Sequence, residues 1–303
     1  MHHQPTNPRP TPLARRALLG LAACLLPTTP SAHAHAQPAA VTDSEPAAKV
    51  RIVASHEGLT PGTITWIGIE FDIADKWHIY WPGQNDSGYA PSIEWTLPEG
   101  VTAGPLHWPT PKRYVMPGDI LDHTYEGKLI LLTPLTIDPS FNPANTTEAP
   151  TIQAQVSWLE CEEGCVPREA SLTHTLSSDP SEAPRPSQDN AAIQAQLKAL
   201  PIADPAVVAE AIKVSWLDRE HVTILSTNPL ASRIAFYPHE NGLAVSSILE
   251  TAEAKGQSVK LRVTPSRDKH LQGIVQVWND QGRSLGAYLL DKPPAKETAG
   301  TIK

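Results

Sequence analysis

The sequence predicts an all-β chain: a β-sandwich, a linker with a short helix, and a second, smaller β-sandwich-like domain. Three observations carry that prediction. Proline is abundant, at 31 of 303 residues, and phenylalanine is scarce, at three. Short apolar stretches recur with turn residues between them, a rhythm of strands rather than of long helices. Within those stretches apolar and polar residues alternate with a period of two, so one face of each is aimed at a core.

The N-terminus is set aside first. Arg15 and Arg16 precede an apolar run, Ala17 to Leu26, followed by Ser31-Ala32-His33-Ala34-His35-Ala36. A basic region, a short apolar core and an Ala-x-Ala site make residues 1–36 an export signal. The run of about ten apolar residues is too short to span a bilayer. Cleavage after Ala34 or Ala36 fits. The adjacent arginines fit the twin-arginine route as well as the general secretory one. Leu21-Ala22-Ala23-Cys24 also resembles a lipoprotein cleavage box, a less favoured reading because the apolar run continues past Cys24.

Residues 37–48, rich in Ala and Pro, are expected to be flexible. The block 49–178 reads as the first sandwich. Ile67, Ile69, Phe71 and Ile73 alternate with Gly68, Glu70 and Asp72, and Ile93, Trp95 and Leu97 alternate with Glu94 and Thr96. Ala154, Val156 and Trp158 alternate with Gln153, Gln155 and Ser157, and Ala170, Leu172 and Leu176 continue the pattern. Lys128 to Ile137 reads as a more deeply buried strand. Trp81-Pro82-Gly83, Leu97-Pro98-Glu99-Gly100 and Met116-Pro117-Gly118 are turn signals. Residues 179–204 form a linker by composition, with a helix over Asp189 to Leu200 that Pro201 stops. The second β-rich domain, 205–291, contains Val214 to Ser226, Arg233 to Tyr237, Val259 to Val263, Ile274 to Trp278 and Leu285 to Leu290 as strands. Residues 292–303 are expected to be a disordered tail.

Three of the 24 Lys and Arg fall in residues 1–36 and none of the 32 Asp and Glu do, so the remainder has eleven more acids than bases. That balance argues against nucleic acid as a partner. After the signal no stretch is long and apolar enough to be a transmembrane segment. No phosphate-binding loop or zinc-protease motif occurs, and Asp86-Ser87-Gly88 lacks the glycines of a serine-nucleophile elbow and reads as a turn.

The chemistry concentrates in two cysteines. Of the three in the chain, Cys24 lies in the signal, leaving Cys161 and Cys165 in Trp158-Leu159-Glu160-Cys161-Glu162-Glu163-Gly164-Cys165-Val166-Pro167. The pair follows a strand, and Gly164 eases a turn between the two, so they can meet in disulfide range. In an oxidising compartment such a pair forms a bond. Three readings are open: a redox-active pair, a structural staple, and a thiolate metal site. A staple closing so short a loop contributes only about 2 kcal/mol on the chain-entropy model, and a chain with a full core rarely needs one. Reversible exchange suits a close pair held in a turn near the surface. Glu160, Glu162 and Glu163 are expected to surround the sulfurs with negative charge, which disfavours a thiolate. Trp158 is expected to pack beneath the turn. Cu(I) or zinc on the two thiolates with a histidine is the metal alternative. His78, His107, His123 and His174 are the histidines weighed for it, and with two Met in the whole chain a Met-rich copper site is excluded. The six Trp of the first block suit core and loop packing better than a carbohydrate platform.

Several motifs occur in one order: Trp81-Pro82-Gly83, Asp86-Ser87-Gly88, Pro91-Ser92-Ile93-Glu94-Trp95, Trp108-Pro109-Thr110-Pro111, Tyr125-Glu126-Gly127 and the cysteine segment with Pro167. Over about residues 48–178 this set resembles the N-terminal periplasmic domain of DsbD-type thiol–disulfide interchange proteins, especially the ScsB-like branch. The resemblance implies an immunoglobulin-like sandwich and a periplasmic location. It also implies that Cys161 and Cys165 are the exchanging pair, with no cofactor. Electrons would come from a membrane-embedded thiol reductase and pass to periplasmic thioredoxin-like proteins. A cap loop covers the cysteines in the family, and Tyr114 to Ile120, with Tyr114, Met116, Pro117 and Gly118, stands at that place. The spacing Cys-x-x-x-Cys is tighter than in the best-known members. The sequence ends at Lys303 without the usual membrane helices or a Cys-x-x-Cys domain, so a free-standing relay, or one paired with a separately encoded membrane subunit, is expected.

Overall fold

The structure is a computed structural model that describes residues 45–142, 149–177 and 185–295. The export signal with Cys24, most of the segment 37–48, residues 178–184 of the linker and the tail from 296 lie outside the described residues.

Ten strands build the first block: β1 (Ala48–Ala54), β2 (Ile64–Ile73), β3 (Ile79–Tyr80), β4 (Ser92–Thr96), β5 (Val101–Ala103), β6 (Lys112–Met116), β7 (Ile120–Tyr125), β8 (Lys128–Ile137), β9 (Thr151–Cys161) and β10 (Cys165–Thr175). They form sheets of order β1-β2-β8-β5, β10-β9-β4 and β3-β7-β6. This is an immunoglobulin-like β-sandwich. The alternating residues of β2, Ile67, Ile69, Phe71 and Ile73, meet Ala154, Val156 and Trp158 of β9 in one core. β8 is buried on both faces. Leu129, Leu131, Leu135 and Ile137 enter that core, while Ile130 and Leu132 pack with Val53 and Ile193 on the other side. Ile193 belongs to helix α1 (Asn190–Ala199), which covers that second face.

Helix α2 (Pro205–Ala211) follows, absent from the sequence reading. Asp204 caps it by accepting from the backbone N–H of Ala206 at 2.8 Å, with Pro205 at its first position. Then come β11 (Ile212–Trp216), β12 (His221–Ser226), β13 (Arg233–Pro238), β14 (Val245–Ser246), a single turn α3 (Ile248–Thr251), β15 (Glu253–Lys255), β16 (Ser258–Val263), β17 (Leu271–Trp278) and β18 (Ser284–Lys292). Two four-stranded sheets result, β11-β12-β16-β14 and β15-β13-β17-β18, around a second core.

Three sequence expectations are corrected. Val214 to Ser226 is two strands: Asp218 accepts from the N–H groups of Glu220 and His221 at 2.7 and 2.8 Å and turns the chain between them. Lys292 pairs with Leu271 at the end of β18 and is not the start of a tail. Ala47 and Ala48 are pinned rather than flexible, because the Glu160 carboxylate accepts from both backbone N–H groups, at 3.0 and 2.9 Å.

The two blocks share a seam. Ala235, Tyr237 and Ile274 are buried in the first core. The Gln84 side chain donates to the Leu243 carbonyl at 2.7 Å and accepts from the Val245 N–H at 2.8 Å. Arg113, on β6, donates to the Leu249 carbonyl at 2.9 Å. The second block thus braces the β3-β7-β6 sheet, which lies beside the cysteines.

Candidate functional site

The antiparallel ladder of β9 and β10 runs from Thr151–Thr175 to its last pair, Cys161 opposite Cys165. The hairpin register therefore places the two Cα atoms 4.2 Å apart, and the cysteines are joined by a disulfide. Glu162, Glu163 and Gly164 form the loop, closed by a Glu162 N–H to Gly164 carbonyl bond of 3.3 Å. Gly164 does not adopt positive φ, so the turn does not depend on glycine for its backbone. A Cβ there would meet nothing within 4 Å, and the approach over the loop is open.

The two sulfurs differ in environment. Cys165 is exposed, whereas Cys161 is 2% exposed and packs with Tyr80 and Leu159. The strand segment His78 to Tyr80 covers Cys161. His78 and Cys161 exchange backbone hydrogen bonds of 2.9 and 3.0 Å. With a period of two, His78 and Tyr80 then point the same way. The Tyr80 hydroxyl donates to Cys161 Sγ at 3.0 Å and lies 3.6 Å from Cys165 Sγ. His78 Nε2 stands 3.4 Å from the same hydroxyl. Burial lowers the His78 pKa, so the imidazole is held neutral, against the pull of Asp122 and Glu126. Burial raises the Tyr80 pKa, as do Asp122 and Tyr114, while a hydrogen bond with Ser87 lowers it.

Asp86-Ser87-Gly88 is a turn that holds Tyr80. Its anchor is Asp122 of β7, which is fully buried. Asp122 accepts from the N–H groups of Asp86 and Ser87 at 2.9 and 3.0 Å and from the Ser87 hydroxyl at 2.5 Å. Gly88 lies flat against the Tyr80 ring: a Cβ on it would overlap ring atoms Cε1 and Cζ. The expected cap segment is the β6–β7 hairpin. Tyr114 packs on His78 with ring centroids 4.7 Å apart, and His78 adjoins Tyr80 at 5.3 Å. Three rings thus connect the hairpin to the sulfurs, while Met116, Pro117 and Gly118 form its far tip, with Gly118 at φ 92°.

The expected acidic ring is corrected. Glu162 and Glu163 are exposed beside Cys165, but Glu160 is fully buried on the opposite face of β9. There it accepts from Arg168 Nε at 2.8 Å and from Trp158 Nε1 at 3.1 Å, besides the two N–H groups of Ala47 and Ala48. Its charge is neutralised by that ion pair. Trp158 shares this face and stacks edge-on against Phe71 at 5.9 Å in the sandwich core, so it does not lie beneath the sulfurs. Pro167 is exposed opposite Leu159.

The histidines do not converge. His107 meets Trp66, His174 pairs with Ile152, and His123 sits in the seam against Trp81 and Tyr237. Among the described residues no group of three or more His, Cys, Asp or Glu side chains is placed to hold a metal ion. Trp81 and Trp158 are buried in the first core, with Trp77, Trp95 and Trp108 packed against it. No helix among the described residues is long and apolar enough to cross a membrane. Sequence reasoning missed Tyr80 and Asp122, weighed His78 only as a metal ligand, and read Ser87 only as part of a turn. A signal for Glu160 was present, since extending the Ala154, Val156, Trp158 alternation by two residues puts it on the core face and Cys161 on the other.

Residues 48–177 match the family model for the N-terminal part of the thiol:disulfide interchange protein DsbD. The structure is similar to the N-terminal periplasmic domain of ScsB from Proteus mirabilis, with a TM-score of 0.52 and 17% identity, over 83% of this chain and 95% of that one. At that identity the likeness shows the fold. The periplasmic chaperone SfaE (TM-score 0.20, 10% identity, 80% and 98% covered) and the sporulation control protein Spo0M from Bacillus subtilis (0.22, 9%, 82% and 91%) are too distant in shape to carry an argument. Among curated proteins no match is found.

Proposed function

We propose, from the premise that residues 48–177 form a DsbD N-terminal domain, that this protein is a periplasmic thiol–disulfide interchange protein whose working groups are Cys161 and Cys165. One observation carries the reading: the disulfide offers one exposed sulfur and keeps the other buried under a phenol hydroxyl. A partner thiolate attacks the sulfur it can reach, Cys165 Sγ. The bond to Cys161 breaks and its electron pair stays on Cys161 as a thiolate, which the Tyr80 hydroxyl stabilises by a charge-assisted hydrogen bond. The partner's second thiolate then attacks its own sulfur in the mixed disulfide and releases Cys165. Two electrons have passed to the pair, and the partner leaves oxidised. In the second half, the Cys165 thiolate attacks the disulfide of an acceptor. Cys161 then attacks Cys165 Sγ, releases the reduced acceptor and restores the starting bond.

The chemistry needs no cofactor. The donor fits a membrane-embedded thiol reductase and the acceptors fit thioredoxin-like proteins, as expected of the family. Glu162 and Glu163 lie beside the reactive sulfur and slow reaction with random disulfides, and the open loop at Gly164 admits a partner's active site. The test is the reduction potential of the pair, from glutathione buffers and thiol trapping. A value of roughly −270 to −120 mV is expected of an exchange protein. A value below about −300 mV would mark a structural bond and overturn the reading.

A further inference from the structure

One titratable side chain at the site has no part in the exchange steps above: His78. We propose that His78 is a positioning residue for that exchange, its Nε2–H donating to the Tyr80 hydroxyl oxygen so that two hydrogen bonds in series, His78 to Tyr80 to Cys161, point at the sulfur that leaves. The proposal deepens the exchange function and rests on it.

The direction of the series follows from the protons available. Neither sulfur of a disulfide bears a hydrogen, so in the 3.0 Å bond between Tyr80 and Cys161 Sγ the phenol is the donor. A phenol has one proton to give. Toward His78 Nε2, 3.4 Å away, the Tyr80 oxygen therefore has only lone pairs to offer, and the imidazole supplies the hydrogen. A neutral histidine has a single ring N–H, which places it on Nε2. Burial holds this imidazole neutral against the pull of Asp122 and Glu126. An imidazolium would donate from Nε2 all the same.

Both rings are held in place. His78 exchanges backbone hydrogen bonds of 2.9 and 3.0 Å with Cys161. Its ring packs on those of Tyr114 and Tyr80 and is buried. The Tyr80 ring is held in turn by Gly88, which lies flat against it. When a partner thiolate attacks Cys165 Sγ, the S–S bond breaks and its electron pair goes to Cys161 Sγ, which is too buried for water to stabilise. A sulfur leaves faster when its thiolate is the more stable one. Hydrogen bonds in series strengthen one another, by about 10–30% per bond. The His78 N–H thus makes the Tyr80 hydroxyl a better donor as charge reaches the sulfur. No proton changes owner, and no reductant beyond the partner's dithiol is involved.

The measurement is the rate at which dithiothreitol reduces the pair in the full chain. His78→Phe keeps a ring against Tyr114 without the donor and is expected to slow reduction about threefold. His78→Gln offers an amide N–H in place of Nε2–H and is expected to recover most of the rate. Tyr80→Phe is expected to slow reduction roughly tenfold. Adding His78→Phe to Tyr80→Phe should slow it no further, because His78 acts through the phenol. Near-UV circular dichroism confirms that each variant is folded. Nitrogen-15 NMR of the oxidised protein reads the tautomer, and the proton is expected on Nε2. A proton on Nδ1 alone, or rate effects that simply add, would overturn the proposal while leaving the exchange function intact. A wild-type pair that stays oxidised in glutathione buffers would overturn both together.

Discussion

Glu160→Gln tests whether the residue before Cys161 supports the fold or shapes the thiol chemistry. Glu160 is fully buried and has four donors within 3.1 Å: Ala47 N–H, Ala48 N–H, Trp158 Nε1 and Arg168 Nε. Removing one partner of a buried ion pair costs about 3–5 kcal/mol. Ala47 N–H and Arg168 Nε share one carboxylate oxygen and Ala48 N–H and Trp158 Nε1 the other, so glutamine keeps an acceptor for one of these pairs only, and a loss of at least about 3 kcal/mol is expected. For a chain of this size each kcal/mol lowers Tm by about 2–4 °C, so a fall of roughly 6–12 °C or more is expected. Urea denaturation of the oxidised protein at pH 7 measures it. The pH dependence has a definite sign. Burial pushes the Glu160 pKa up, but the bonds from Ala47, Arg168, Ala48 and Trp158 outweigh it and hold the carboxyl below its ordinary value. The stabilisation is therefore fully present above the ordinary carboxyl pKa of about 4.3 and is lost as pH falls through the lower folded value. Glu160→Gln should lack that acid-side loss. Because the side chain faces away from Cys161, the alkylation rate of the reduced cysteines should not change. A stability loss under about 1 kcal/mol, well below the cost of breaking a buried pair, or a marked rise in alkylation rate, would refute this account and return Glu160 to the vicinity of the sulfurs.

Two further outcomes follow from burial. Cys161→Ala leaves the exposed Cys165 without a resolving thiol and should accumulate mixed disulfides with partner proteins; Cys165→Ala, with its one thiol under Tyr80, should react with iodoacetamide at least about tenfold more slowly, and equal rates for the two variants would contradict the assignment of the attacked sulfur. His123, fully buried in the seam, accepts no proton readily: burial, with Arg113 adding to it, pushes its pKa down to about 3. The unfolded chain binds that proton near pH 6.5, so this residue should destabilise the fold progressively between that pH and about 3, and His123→Gln should flatten the decline; parallel stability profiles for wild type and variant would exclude the effect.

Much of the first sandwich was legible because strand alternation is local. Ile67, Ile69, Phe71 and Ile73 declare their face within seven residues, as do Ala154, Val156 and Trp158. The helix over Asp189 to Leu200 was legible from composition and Pro201, and it is observed at Asn190–Ala199. The short strands β3, β5, β14 and β15, of two or three residues, were not. So few residues have no period of their own, and their pairing is set by neighbours far along the chain. The acidic ring failed for a related reason: Glu162 and Glu163 lie in the hairpin loop, whereas Glu160 is still on β9 with its side chain on the face away from Cys161, where it found Arg168.

By itself the sequence determined that the chain is mostly β, that its first block is a sandwich resembling the DsbD N-terminal domain, and that the cysteines can meet across a turn. Those properties are written in residue type and short-range spacing. Tertiary structure alone decided which sulfur is buried, that Tyr80 stands over it, and that Asp122 reaches Ser87 across 35 positions of chain. It also decided that Gln84 joins the two blocks across 161. Contacts of that separation depend on how sheets stack and twist, a property of the assembled core that no window of sequence contains.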